Sequence, residues 1–115
     1  MFCTCTSMGL LGINAYKVAV EVDLSESFPG FDIVGLPDAA VKESKERIRA
    51  AIKNTGLAMP SKRITLNLAP ADVKKEGTHF DLALAVGILV ASKQMSQPKD
   101  DVAFIGELSL NGDLR

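Results

Sequence analysis

The stretch Ala15-Tyr16-Lys17-Val18-Ala19-Val20-Glu21-Val22-Asp23-Leu24 decides the fold class. Tyr16, Val18, Val20, Val22 and Leu24 fall on one side, and Lys17, Glu21 and Asp23 on the other. Strict alternation of this kind gives a strand with one buried and one wet face. Working toward the N-terminus, residues 2–8 read as its partner, joined to it through Gly9 and Gly12. Working toward the C-terminus, residues 28–30 turn the chain and residues 31–34 form a short third strand.

Gly35, Leu36 and Pro37 then lead to Asp38, a helix N-cap. The helix it opens runs to about Asn54, and Gly56 supplies the stop. Ile64, Leu66 and Leu68 alternate again within a strand over residues 63–68. Residues 69–80 form a loop, Asp81 is expected to cap a second helix, and that helix extends to about Ser92. Because residues 82–91 are apolar all round, this helix belongs in the centre of the core. A polar connector over residues 94–101 leads to a strand over residues 102–110 and an Asn111-Gly112 hairpin signal of type I′. The predicted architecture is α+β: a mixed sheet with two helices packed on one face.

Length and composition agree with one folded domain. The chain has 115 residues, 47% hydrophobic and 23% charged, which excludes a disordered tail. Its formal net charge is −1, so any affinity for nucleic acid must come from a local patch. The most apolar run, residues 82–91, is far shorter than the roughly 20 residues that span a bilayer. No basic region precedes an apolar one at the start, so a cytoplasmic protein is expected. Cys3 and Cys5 are two apart, hence on one face of a strand, and read as small buried residues rather than zinc ligands or a disulfide. Because the Asn111-Gly112 turn promises a returning strand only three residues before Arg115, the C-terminal edge reads as cut from a longer parent.

Enzymatic chemistry is sparse. A phosphate-binding P-loop requires Gly-Lys followed by Ser or Thr, and none of the nine glycines precedes a lysine. The single histidine, His79, reads as an exposed loop residue, and no nucleophilic triad is expected around it. The first helix says more. At 100° per residue, Val41, Ile48 and Ile52 share a narrow arc, while Lys42, Lys45, Arg49 and Lys53 share an arc of about 80° beside it. Glu46 lies at the edge of that arc, and Glu43 and Arg47 lie on the far side. One reading of the basic arc is a solvated face. The other is phosphate contact with nucleic acid, helped by Lys62 and Arg63 and by Lys74 and Lys75. No aromatic residue interleaves with these cations, so such contact would be independent of base sequence.

Four stretches resemble one family in order along nearly the whole chain. They are residues 31–44 (FDIVGLPDAAVKES), residues 62–72 (KRITLNLAPAD), Lys75-Glu76-Gly77 with Phe80-Asp81-Leu82, and residues 106–112 (GELSLNG). The family is that of ComM/YifB-type Mg-chelatase-related AAA+ proteins. The resemblance implies a single N-terminal domain over residues 1–115, with a fold like that of Lon-type protease domains and a ribosomal small-subunit protein domain. It implies an AAA+ module elsewhere in the parent, which would bind ATP and Mg, hydrolyse ATP and assemble a homo-hexamer. It further implies a part in natural transformation and recombination, with DNA as partner, no membrane and no cofactor held by this domain. Lon-type enzymes place a nucleophilic Ser after a Lys-Asp-Gly-Pro turn. The matching residues here are Lys75-Glu76-Gly77-Thr78-His79, so His79 stands where that Ser would be and no protease activity is expected. Two functions remain open: a DNA-contacting accessory domain of a motor, or a structural domain that organises the assembly or recruits a partner.

Overall fold

The alternating stretch is the centre of an antiparallel hairpin. In the computed structural model, which describes residues 1–115, β1 (Phe2–Leu11) pairs along its whole length with residues 14–23 of β2 (Asn14–Ser25). Between them lie only Gly12 and Ile13, with Gly12 at φ 65°. Positive φ at the first of two turn positions suits the right-handed twist of the hairpin. Gly9 is therefore not part of the connection; it sits within β1 opposite Tyr16.

Next come β3 (Gly30–Val34), α1 (Ala39–Asn54), β4 (Arg63–Ala69) and α2 (Asp81–Ala91). The sheet order is β1-β2-β4-β3, with β2 and β4 antiparallel and β3 and β4 parallel. This is the mixed sheet of an α+β fold. Cys3, Cys5, Val18, Val20, Val22, Leu24, Phe31, Ile33, Ile64, Leu66 and Leu68 are all buried, so every strand turns the same face inward. Both helices cover that face. From α1 come Val41, Ser44, Ile48, Ala51 and Ile52. The opposite face carries Lys17, Glu21, Asp23, Asp32, Thr65 and Asn67 toward solvent.

Of the eleven residues of α2, eight are buried, as its unbroken apolar composition requires. It sits low on the hairpin. A Cβ added at Gly87 would lie 2.6 Å from Val22, and the thiols of Cys5 and Cys3 donate to the carbonyls of Ala83 and Gly87 at 3.2 and 3.1 Å. Both cysteines are free, and no helix is long and apolar enough to cross a membrane.

Two expectations are corrected at the C-terminal side. Residues 102–110 do not form a strand, because their hydrogen bonds leave the sheet after one contact. Phe104 N–H donates to Thr6 O at 2.8 Å, Gly106 N–H turns to His79 O at 2.9 Å, and Leu108 N–H meets the Asp81 carboxylate at 3.1 Å. The segment thus crosses from the β1 edge over the start of α2. The Asn111-Gly112 turn exists, but only Gly112 has positive φ, so it is not type I′. It is a three-residue loop closed by Ser109 and Asp113, and Leu108 bridges back to Leu114.

Candidate functional site

Asp38 fixes where α1 begins, since its carboxylate accepts from Val41 N–H at 2.8 Å. That start places the apolar stripe against the sheet and the basic arc along one flank. Lys42, Arg49 and Lys53 are exposed and Lys45 is half-buried. The flank lies beside β3, because the Arg49 guanidinium rests 5.5 Å from the centre of the Phe31 ring. None of the four cations has a carboxylate within ion-pair distance. The structure therefore assembles Lys42, Lys45, Arg49 and Lys53 as a continuous row, bordered by the exposed Glu46 but held in no ion pair.

The cations expected to extend the row, Lys62, Arg63, Lys74 and Lys75, are engaged elsewhere. Lys62 meets Glu26 at 2.7 Å, and that pair lowers the Glu26 pKa through its hydrogen bond. Arg63 pairs with Asp32 on the sheet face away from α1, because its neighbour Ile64 points inward. Lys74 approaches Glu76 at 4.0 Å. Lys75 is fully buried and donates its ammonium to the carbonyls of Gly35 and Pro70, and burial pulls its pKa down.

On the other flank of α1 the structure holds a polar network that sequence reasoning did not find. Asp81 does not cap α2; it is the first helical residue and is completely buried. Its carboxylate accepts from Arg47 Nε at 2.7 Å, Arg47 Nη2 at 3.1 Å, Ser44 Oγ at 2.6 Å and Leu108 N–H at 3.1 Å. Arg47 also donates to Ala40 O at 3.0 Å, and the hydrogen bond to Asp81 raises its pKa. The available signal was an acidic residue opening an otherwise apolar helix, which predicts a buried partner. This network joins α1, α2 and the C-terminal crossing segment.

His79 is half-buried rather than exposed, which corrects the sequence reading. Its Nε2 lies 2.9 Å from Met8 O and its ring is tilted against Phe80. A carbonyl only accepts, so that nitrogen carries the proton and the lone pair of the neutral ring lies on Nδ1. Beside it, Thr78 Oγ1 donates to Glu107 at 2.6 Å. Nowhere do three His, Cys, Asp or Glu side chains converge as metal ligands. Lys17, Lys93 and Lys99 are likewise outside any ion pair, but only on α1 do four such cations share one helix flank.

The description "Subunit ChlI of Mg-chelatase" names the family that matches residues 20–115. Among individual proteins, the chain is 49% identical over 106 residues to "Uncharacterized protein YifB" of Escherichia coli, covering 91% of this chain and 21% of that protein. It is 48% identical over 110 residues to "Competence protein ComM" of Haemophilus influenzae, covering 95% of this chain and 22% of the relative. A third relative, "Uncharacterized protein Mb2921c" of Mycobacterium bovis, is 40% identical over 110 residues, again 95% of this chain and 22% of the relative. The chain thus spans about a fifth of the length of the curated relatives it matches.

Proposed function

This chain belongs to the family of the ChlI subunit of Mg-chelatase, with YifB and ComM as relatives, and we propose that it is the non-catalytic N-terminal accessory domain of an AAA+ ATPase that contacts DNA phosphates through one flank of α1. The observation that carries the reading is the row of Lys42, Lys45, Arg49 and Lys53, in no ion pair while Arg47, Lys62, Arg63, Lys74 and Lys75 all have partners. In a chain of net charge −1, such a row is a local attractor for polyanions.

ATP, Mg and homo-hexamer formation belong, in this proposal, to an AAA+ module outside these residues. The residues here do not fit a nucleotide, since no glycine precedes a lysine and the one buried lysine is held by loop carbonyls. The competence name of the Haemophilus relative supports a role in competence, which we extend to handling DNA in transformation and recombination, in the cytoplasm.

Four phosphate contacts without aromatic stacking give non-specific affinity, with Kd about 10⁻⁴–10⁻⁶ M at physiological salt. Each contact removed lowers the slope of log affinity against log salt by about 0.7–0.9. The double reversal Lys45→Glu with Arg49→Glu, assayed at low salt on single-stranded and four-way-junction DNA, should flatten that slope and weaken binding to both. A folded variant that binds as well as the parent makes the row a wet face and gives the lead to a structural or partner-recruiting role.

A further inference from the structure

The two edges of the sheet are treated differently. At the β1 edge, Phe104 N–H donates to Thr6 O, Ala103 bridges to Thr6, and the Gln97 amide donates to Thr4 O. At the β3 edge nothing of the kind occurs. No backbone hydrogen bond outside the β3–β4 ladder involves residues 30–34. Sheets usually close or blunt such an edge, because a row of unpaired N–H and C=O groups is a template for another strand.

The surroundings of this edge define what could pair with it. Large apolar residues stand exposed before, at the end of and after the strand: Phe28 is 88% exposed, Val34 45% and Leu36 53%. Leu36 is held in that position at φ 56°, a left-handed backbone that a leucine rarely adopts. Lys75 pins it, since Lys75 N–H donates to Leu36 O at 3.0 Å and the Lys75 ammonium to Gly35 O at 2.8 Å. Backbone strain fixed at a surface position that leaves a leucine half in solvent is characteristic of a contact site. Along the helical side of the edge runs the row Lys42, Lys45, Arg49 and Lys53, with Arg49 over Phe31.

We infer that the free edge of β3 accepts an extended acidic peptide segment by strand addition, its carboxylates meeting the α1 row and its apolar side chains meeting Val34 and Leu36. Main-chain pairing supplies affinity, and alternate side chains supply specificity. Charge complementarity selects an acidic strand over a neutral or basic one. A phosphodiester chain does not match the edge itself, because it offers acceptors only, whereas a strand edge needs acceptors and donors in alternation. The inference goes beyond DNA contact and requires only the charge of the same row.

The test uses the 115-residue chain and a capped heptapeptide alternating valine with glutamate, labelled for fluorescence anisotropy. The expected result is saturable binding, with amide hydrogen exchange slowed at residues 30–34 when peptide is present. Methylating every amide nitrogen of the peptide should weaken binding at least about tenfold, because pairing is blocked while the charge is kept. The lysine-for-glutamate peptide should not bind, and Lys45→Glu with Arg49→Glu should weaken the acidic peptide. No saturation below about 1 mM, equal binding of the methylated peptide, or unchanged exchange at β3 would each overturn the inference. Binding of DNA without the peptide sinks strand addition and leaves the proposed function standing. Binding of the peptide without DNA does the reverse.

Discussion

Asp81 shows how much a single side chain holds together. Completely buried, it takes four hydrogen bonds from three residues on two segments, two of them from Arg47, whose side chain is 18% exposed. Removing one partner of such a pair leaves the other charge buried and alone, which costs about 3–5 kcal/mol. Asp81→Asn should lower stability in denaturant melts by that order, and a loss under about 1 kcal/mol would mean that Arg47 finds water instead. None of this was legible on a helical wheel. Arg47 sits with Glu43 there, and at 3.9 Å the two do meet in the structure, but the decisive partner is 34 residues away. The cysteines, by contrast, could be read from spacing alone. Burial raises both thiols, Cys5 to about 12. An acid whose folded pKa exceeds its unfolded value of about 8.5 is protonated when folded and ionises first when unfolded. Its contribution to stability is therefore complete below the unfolded pKa and is lost as pH rises toward the folded one. Alkylation of the native protein by iodoacetamide at pH 8–9 should proceed only at the rate of unfolding. Fast labelling of the folded chain would show that the strand edge opens locally.

Among the elements, α2 was the clearest in the sequence and is the most constrained in the structure. A helix without a polar face has nowhere to lie except between other layers, and Ala83, Leu84 and Ile88 are fully buried against the sheet and α1. Leu84→Ala should cost roughly 2–5 kcal/mol in a denaturant melt; a cost below about 1 kcal/mol would show that the site collapses around the smaller side chain. The crossing segment over residues 102–110 was misread for a related reason. Its composition suits a strand, yet β propensity measures fit to a pleated surface and says nothing of which partner is within reach. Here the reachable donors and acceptors belong to Thr6, His79 and Asp81, on three different elements. The basic arc of α1 needed no distant partner, so period alone located it; the structure adds that it borders an open strand edge. Lys62 and Arg63 could not be placed by period, because their acidic partners, Glu26 and Asp32, come from the β2–β3 connection and from β3.

At the scale of the molecule, stability is distributed unevenly along the hairpin. The β2–β4 ladder covers Ala19 to Ser25, so residues 14–18 of β2 pair with β1 only. Beyond Tyr16, which still packs against the core, the hairpin leaves the packed face, and Leu10, Leu11 and Ile13 at its tip are 73%, 66% and 99% exposed. An isolated two-stranded ribbon is marginal in water, since it has neither a third strand nor a buried face to offset its conformational entropy. The base of the same strand is the opposite case, with Val18, Val20 and Val22 fully buried between β1, β4 and α2. Opening the tip exposes almost nothing new, whereas opening the base requires α2 to leave the sheet. Native-state amide exchange should therefore separate the two ends of one strand. Amides of residues 10–14 should exchange through local fraying with a free energy near 0–2 kcal/mol, while Val20 and Val22 follow global unfolding. Deleting side chains at the tip, as in Ile13→Ser, should leave the melting midpoint within the range of an ordinary surface substitution, about 0.5 kcal/mol. If tip and base instead exchange together, the hairpin is a single cooperative unit, and the apolar side chains at its tip must be held by contacts that their exposure does not reveal.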